Sequence, residues 1–373
     1  MLIRQDENHT IRLFNAENCV RDNASLLSSL GKRCFIVCGK TGARKSGALE
    51  DALRALETFG AESELFDGIE ANPKLSDCMR AGKQAHAFRA DFILGIGGGS
   101  AMDAAKAVCV LAANPQLDEK AFYEKAWTCG VKPLALIVTA AGTGSEVTDV
   151  SVLTDGAGRK HSIHDPALYA SLAFDDVRYT ATVGKTETLS MGVDILAHCV
   201  ESYFNKNATE QSRFHACAGV KTALPALKRV ASGEEPVRHI RQALIDASIE
   251  GGLAISKTGT CFPHNVGYYL TERFHVRHGF ASAAFLPDLL ALEEKQNPQE
   301  CASFARLSGA CPDEVARLSQ SLAALGEVRL TPAEIVEALP RWENNRSVKN
   351  TLGTVTTDDI RNMLYKFIGR ERQ

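Results

Sequence analysis

The chain has 373 residues, of which 45% are hydrophobic and 23% are charged, and its formal net charge is -3 at pH 7. This near-neutral balance gives no reason to expect nucleic acid or an anionic membrane surface as a partner. No apolar run reaches the ~18 residues that a membrane-spanning helix needs, and the length exceeds the usual size of one hydrophobic core. We therefore expect a globular protein of two domains.

Two features indicate the cellular compartment. The first residues, Met1-Leu-Ile-Arg-Gln-Asp-Glu, lack the long apolar core of a signal peptide. The eleven cysteines include no Cys-x-x-Cys pair, and several lie inside apolar patterns, as buried free thiols commonly do. Both observations favour a reduced, cytoplasmic protein.

Short β-rich runs alternate with helical stretches through the first half of the chain. Strands are predicted at 33–38, 63–66, 91–95, 134–138, 150–153 and 171–174, and helices at 49–58 and 101–113. This alternation is typical of a parallel sheet with helices on both faces. After about residue 184 helical patterns dominate. We predict a Rossmann-like α/β nucleotide-binding domain over 1–183 and an all-helical domain over 184–373, with the site in the cleft between them.

The loop after the first predicted strand is rich in cations. Residues 39–47 read Gly-Lys-Thr-Gly-Ala-Arg-Lys-Ser-Gly, which matches neither a Walker loop nor the Rossmann glycine fingerprint. An acidic residue after such a strand typically holds the ribose 2′-hydroxyl of NAD, whereas cations suit a 2′-phosphate. The loop therefore favours NADP(H) over NAD(H), and the alternative is a solvated basic loop.

Two glycine-rich turns follow later strands. Residues 97–100, Gly-Gly-Gly-Ser, open a helix, where free backbone N–H groups and the helix dipole suit a phosphate. Residues 142–146, Gly-Thr-Gly-Ser-Glu, follow the strand predicted at 134–138. In a parallel sheet both turns lie at the carboxyl edge, where ligands bind in open α/β folds. Together they make a bound nucleotide plausible.

The pattern Asp194-Ile-Leu-Ala-His198 places a carboxylate and an imidazole four residues apart on one face of an apolar helix. Unpaired charge in such a helix is expensive to bury, so these side chains need a partner. His264 and His278 supply two further imidazoles later in the chain. One Asp and three His suit Fe²⁺ or Zn²⁺, and the sequence does not choose between the two metals.

Taken together, these segments resemble the iron-dependent (group III) alcohol dehydrogenase family over most of the chain. The matching segments are Gly97-Gly98-Gly99-Ser100-x-x-Asp103-x-x-Lys106, Gly142-Thr143-Gly144-Ser145-Glu146 and Asp194-x-x-x-His198, with His264 and, fourteen positions later, His278-Gly279. Asp165-Pro166 and Asp175 also fall where the family has similar residues.

The resemblance implies a dehydroquinate synthase-like, iron-containing alcohol dehydrogenase fold, a homodimer, and a small alcohol or aldehyde as substrate. It implies Fe²⁺, or alternatively Zn²⁺, held by Asp194, His198, His264 and His278. Gly39 followed by Lys40 resembles the members that accept NADP(H). The residues then expected to contact the dinucleotide are Gly39, Lys40, Thr41, Lys45, Gly97, Gly98, Gly99, Ser100, Asp103, Thr139, Thr143, Ser145 and Lys160.

The chain departs from the family pattern in two places. Tyr268 stands where many members have a histidine, and residues 138–141 read Val-Thr-Ala-Ala instead of Pro-Thr-Thr-Ala. We therefore consider Tyr268 or His275 as the proton relay for hydride transfer between the nicotinamide and the substrate. Arg273 or Lys160 are candidates for contacting an anionic aldehyde.

Two other functions are compatible with the same patterns. One is a glycerol dehydrogenase or a dehydroquinate synthase-like zinc enzyme of the same superfamily, although the synthase typically has a glutamate where Asp194 stands. The other is a nucleotide-binding protein without catalytic activity, which the complete set of four metal ligands argues against.

Overall fold

A computed structural model describes residues 2–4 and 9–368 of the chain. Its strands are β1 (Leu2–Arg4), β2 (Thr10–Asn15), β3 (Arg33–Cys38), β4 (Glu62–Phe66), β5 (Phe92–Gly97), β6 (Leu134–Val138), β7 (Val150–Thr154), β8 (Lys160–His164) and β9 (Leu172–Asp175). Seven of them form one sheet in the order β1-β2-β9-β6-β5-β3-β4. Only the edge strand β1 is antiparallel to its neighbour within this described sheet.

The helices are α1 (Cys19–Asp22), α2 (Ala24–Ser28), α3 (Gly42–Lys45), α4 (Ala48–Thr58), α5 (Leu75–Ala87), α6 (Gly99–Ala113), α7 (Glu119–Tyr123), α8 (Lys185–Tyr203), α9 (Glu210–Ala231), α10 (Arg238–Thr258), α11 (Phe262–Phe274), α12 (His278–Ala283), α13 (Leu286–Gln296), α14 (Pro298–Ser308), α15 (Pro312–Leu322), α16 (Pro332–Ala338), α17 (Arg346–Asn350) and α18 (Thr357–Tyr365). None of the helices in the described residues is long and apolar enough to cross a membrane.

The chain forms two compact units. Among the described residues, unit one contains those up to Gly184 together with Val237–Ile245, and unit two contains Lys185–Pro236 and those from Asp246 to Ile368. Unit one therefore includes a short segment from far along the sequence, which the predicted boundary at 183/184 does not anticipate. The two domain ranges stay a prediction.

The sheet of unit one is covered on both faces, as the alternation of strands and helices predicts. Because successive side chains of a strand point to opposite faces, Phe35 and Val37 of β3 pack with α5 and α6, whereas Ile36 packs with α4 on the other side. Every residue of β3 after Arg33 is buried, which is typical of a central parallel strand. The α/β fold class is confirmed.

The predicted strands do not include β1, β2 or β8, and one of them belongs to a different sheet. β2 is absent from the prediction because only Ile11 and Leu13 are buried while Thr10 and Arg12 face out, so the segment lacks the continuous apolar run of the central strands. The strand predicted at 150–153 exists as β7, but it pairs antiparallel with β8 in a separate two-stranded sheet. Its alternating burial is typical of such a half-covered hairpin.

The parallel register brings three loops to one edge of the sheet. Cys38 of β3 pairs with Ile96 of β5, and Gly97 of β5 pairs with Val138 of β6. The loops that begin at Gly39, Gly98 and Thr139 therefore leave the sheet side by side at its carboxyl end. This is the edge where open α/β folds bind their ligands.

Candidate functional site

Helix α8 of unit two carries three ionisable side chains on one buried face. Asp194, His198 and Glu201 are spaced four and three residues apart, which places them on adjacent turns, and their exposed fractions are 3%, 5% and 0%. Most of the remaining residues of α8 are also buried. The helix thus holds charged groups where water does not solvate them, as predicted for Asp194 and His198.

Helix α11 brings His264 against this face. Pro263 lies in the first turn, a position where its missing N–H costs no hydrogen bond, and His264 follows in the same turn. The Nε2 atom of His264 lies 2.9 Å from Nε2 of His198 and 3.4 Å from Oδ1 of Asp194. Each of these three residues offers a ligand atom within 4.8 Å of the others.

The cluster fits a bound cation. Oδ1 of Asp194 is buried and has no hydrogen-bond partner among the described residues, a state that costs free energy unless a cation or donor fills it. Two ligands at ~2.1 Å from one metal are at most ~4.2 Å apart, and the separations of 2.9 and 3.4 Å fall within this limit.

The raised pKa of His264 also indicates that the cluster favours positive charge. Burial lowers this pKa, but the carboxylates of Glu201 and Asp194 outweigh burial and raise it to about 10. Burial raises the pKa of Asp194, and the neighbouring His278, His198 and His264 outweigh that effect and lower it. The site thus attracts a proton or a metal ion between its carboxylates.

His278 borders the cluster from α12. Its Nε2 atom lies 3.8 Å from Oδ1 of Asp194, and its ring centroid lies 5.3 Å from that of His264. The six-residue helix α12 packs closely on α8 because Gly279 has no Cβ atom. A Cβ atom at this position would lie 1.9 Å from the carbonyl oxygen of Ser190. Gly267 allows a similar approach of α11 to α12. The four predicted metal ligands therefore converge, with His278 at the outer side.

The two candidate proton relays are placed differently. The ring of Tyr268 stacks on that of His278, with centroids 5.5 Å apart and planes inclined by 25°. His275 is exposed and adopts a left-handed conformation, with φ of 55°, where α11 ends. Arg273, a candidate for binding an anionic substrate, is instead paired with Glu334 at the start of α16.

The two glycine turns of unit one contact each other. Gly99 lies against Thr143, where a Cβ atom would approach Cγ2 of the threonine to 2.6 Å. The backbone N–H of Thr139 donates to the carbonyl of Gly97 over 2.9 Å. Gly98 is the N-cap of α6, and Ser100 is half-buried in its first turn. This arrangement leaves the start of a fifteen-residue helix at the loop edge, which suits a phosphate.

Lys106, which is part of the first sequence motif, connects helix α6 to the second turn and to β7. Its Nζ is fully buried and donates to the carbonyl oxygens of Ser145 (2.7 Å) and Val150 (2.7 Å) and to the Ser145 hydroxyl (2.8 Å). The Ser145 hydroxyl donates to Oδ1 of Asp103 over 2.7 Å, and Val152 N–H donates to Oδ2. Asp103 and Ser145, both predicted to contact the dinucleotide, thus have their side chains within an internal network that holds the turns together.

Glu146 is buried beside this network, and burial raises its pKa from 4.5 to about 7. Below pH 4.5 both folded and unfolded chains hold the proton, so stability is unaffected. Between pH 4.5 and about pH 7, Glu146 is ionised in the unfolded chain but still protonated in the folded chain. The free energy of unfolding therefore falls as the pH rises through this range. We expect Glu146→Gln to remove this loss and to gain roughly 1–3 kcal/mol relative to wild type between about pH 5 and pH 8, since one pKa unit equals about 1.4 kcal/mol.

Urea unfolding of both proteins at the two pH values measures this difference. A stability difference that does not change with pH would show that Glu146 ionises normally in the folded chain. The isosteric Glu119→Gln, at a half-exposed site in α7, is the matched control.

One ion pair in the cationic loop after β3 weakens the argument from charge for NADP(H). Arg44 is paired with Asp67, which follows β4, over 3.2 Å. An acidic residue that follows the neighbouring strand therefore neutralises one of the three cations. Lys40, Thr41 and Lys45 are exposed, Gly39 is half-buried at the end of β3, and Lys160 begins β8.

Family models match most of the chain. The model described as iron-containing alcohol dehydrogenase matches residues 11–177, and the model for the C-terminal part of the Fe-containing alcohol dehydrogenase family matches residues 188–337. These two ranges include the three loops of unit one and all four clustered side chains of unit two.

Individual proteins agree with these models. The bifunctional aldehyde-alcohol dehydrogenase AdhE of Escherichia coli (strain K12) is 30% identical over 278 residues, covering 70% of this chain but only 31% of the relative's length. A crystal structure of an iron-containing alcohol dehydrogenase from Thermotoga maritima superposes with a TM-score of 0.89 at 31% identity, covering 96% of this chain and 98% of that one. The sulfoacetaldehyde reductase of Bifidobacterium kashiwanohense, solved in complex with NAD⁺, has the same fold, with a TM-score of 0.85 at 24% identity over 100% of both chains. The chain belongs to the iron-containing alcohol dehydrogenase family.

Proposed function

We propose that this protein is a metal-dependent, NAD(P)(H)-linked alcohol dehydrogenase or aldehyde reductase that transfers hydride between the nicotinamide and a small alcohol or aldehyde. The observation that carries the proposal is the convergence of Asp194, His198 and His264, with one buried carboxylate oxygen that has no hydrogen bond among the described residues. Family membership supports the reaction class.

Asp194, His198, His264 and His278 would hold Fe²⁺, with Zn²⁺ as the alternative, because carboxylate and imidazole ligands suit both ions. The bound ion supplies Lewis acidity, which polarises a carbonyl oxygen or lowers the pKa of an alcohol. The remaining tasks fall to the protein, which must exclude water, orient the substrate and hold the nicotinamide near the reacting carbon.

The turns at Gly97–Gly99 and at Thr143 would bind the dinucleotide phosphates, with Ser100 and the start of α6 as donors. We propose that Asp103 and Ser145 act indirectly, by holding these turns in place. A preference for NADP(H) rests on Gly39 and on the exposed cations Lys40 and Lys45, while NAD⁺ is the cofactor of the Bifidobacterium structure.

The reaction is tested with protein purified anaerobically and loaded with Fe²⁺ or Zn²⁺. We expect consumption of NADPH or NADH with at least one member of a panel of neutral and anionic aldehydes. Failure of the metal-loaded protein with every aldehyde, and with the corresponding alcohols and oxidised cofactors, would reject the dehydrogenase. Phosphate release from a sugar phosphate would indicate a lyase of the same superfamily. The expected homodimer is checked by light scattering on the same sample.

Cofactor choice is tested at Lys40. If this lysine contacts the 2′-phosphate, Lys40→Ala removes a charge-assisted hydrogen bond, and kcat/KM for NADPH should fall about 10- to 100-fold. The kcat/KM for NADH should not change, because NADH lacks that phosphate. The exposed Lys83→Ala, on α5, is the matched control. An equal loss with both cofactors would show that Lys40 does not read the 2′-phosphate.

We propose Tyr268 as the proton relay, because its ring stacks beside that of His278 with centroids 5.5 Å apart. Tyr268→Phe keeps the stacked ring but removes the hydroxyl, so kcat should fall about 10²-fold with no change in metal content. His275→Ala should leave kcat near the wild-type value, because this side chain is exposed at the end of α11. Wild-type turnover in Tyr268→Phe would exclude the tyrosine as a relay.

A further inference from the structure

Glu201 contacts His264 on the side opposite to the metal cluster. Its Oε1 atom lies 2.5 Å from Nδ1 of His264, whereas the cluster residues face Nε2 of the same ring. Its Oε2 atom accepts hydrogen bonds from the backbone N–H groups of Cys261 (2.8 Å) and His264 (3.4 Å). Both oxygens of this fully buried side chain therefore have defined partners.

These contacts decide which nitrogen of His264 keeps its proton when the ring is neutral, as a ring that binds a metal must be. The carboxylate oxygens of Glu201 accept from the two backbone N–H groups and face Nδ1, so Nδ1 is the donor in that contact. In a neutral imidazole the other nitrogen, Nε2, then has the lone pair. Nε2 points toward Asp194 and His198, which is the orientation that a metal ligand needs.

Glu201 also changes the charge of the site. A divalent ion held by Asp194 alone would leave one net positive charge inside an apolar helix pair, and such a charge is costly to bury. The carboxylate of Glu201, which contacts the ligand His264 and not the ion itself, would balance this charge.

Resting on the metal site proposed above, we propose that Glu201 is a positioning residue that fixes the tautomer and ring orientation of His264 and completes the charge balance of a bound divalent ion. Carboxylates that accept from the distal nitrogen of a metal-binding histidine tune metal affinity in this way. The sequence spacing agrees with this role, because Glu201 stands three residues after His198 on the same helical face.

The experiment measures Co²⁺ binding to the full chain, by competition with a chelator and by visible absorption at saturating Co²⁺. Glu201→Gln cannot accept from both Nδ1–H and the Cys261 N–H, since its amide nitrogen is a donor. We expect Co²⁺ affinity to fall 10- to 100-fold and the absorption bands to shift, because His264 is no longer held in one orientation. Wild-type affinity together with an unchanged spectrum would overturn the proposal.

A second Glu–His pair in unit two provides the matched control. Glu250 lies 2.7 Å from Nδ1 of His215 and is not part of the Asp194, His198 and His264 cluster. Glu250→Gln therefore makes the same chemical change at a different histidine and should leave Co²⁺ binding unaltered. An equal loss in both variants would show a general structural effect and would contradict the role assigned to Glu201.

The tautomer can also be read without a substitution at Glu201, which covers the case in which that variant does not fold. In ¹⁵N-histidine-labelled wild type loaded with Zn²⁺, long-range ¹H–¹⁵N spectra should show the His264 proton on Nδ1. A proton on Nε2 would overturn the proposal. Wild type that binds no divalent metal would instead reject the proposed function itself, so the two failures are distinguishable.

Discussion

His264→Ala should abolish both metal binding and turnover. This residue contributes the ring that faces Asp194 and His198 together. Its removal deletes one ligand and leaves the carboxylate of Glu201 buried without its imidazole partner. Loss of one partner from a buried charged group typically costs 3–5 kcal/mol. Metal content by elemental analysis and NADPH consumption are the measurements, both on protein shown to be folded.

The matched control is His239→Ala, because His239 is exposed on α10 and its loss should change neither quantity. Turnover at the wild-type rate in His264→Ala would reject the ligand assignment.

Gly279→Ala should have the second largest effect. The added methyl group would lie 1.9 Å from the carbonyl oxygen of Ser190 and 2.9 Å from Cβ of Asp194. The backbones at Gly279 and Ser190 cannot shift far enough to relieve this clash while the two helices stay where they are. Helix α12 must therefore move away from α8, and His278 moves with it. We expect metal affinity to fall at least tenfold, together with a destabilisation of about 1–3 kcal/mol from overpacking.

Both effects are compared with those of Gly326→Ala. Gly326 is exposed, and a Cβ atom there would meet nothing within 4 Å, so the substitution should be neutral. Unchanged metal affinity in Gly279→Ala would show that the position of α12 does not matter for the site.

The sequence predicts the central sheet well because fully buried strands such as β3 and β6 are short, continuous apolar runs. It fails for β2, whose burial alternates, and for the partner of β7, since pairing of a hairpin strand depends on contacts distant in sequence. The segment Val237–Ile245 belongs to unit one although its helical pattern continues into unit two. Helical periodicity in a sequence predicts a helix, but it does not predict the unit to which that helix belongs.

The four clustered side chains are predicted because their residue types and spacing are distinctive. The roles of Glu201, Lys106 and Gly267 are not predicted, and each for a physical reason. The sequence does not show that the fold buries the charged groups of Glu201 and Lys106 completely, and Gly267 matters only because another helix approaches it. Their roles arise from tertiary packing.

The four side chains proposed to hold the metal differ in how exposed they are to solvent. His278 has 28% of its side chain exposed, whereas those of Asp194 and His264 have 4% and 2%, and His198 as a residue has 5%. An ion held by these four side chains, as proposed, would therefore have His278 as its most solvent-accessible ligand. A competing chelator would reach the site from the side of His278, on the six-residue helix α12.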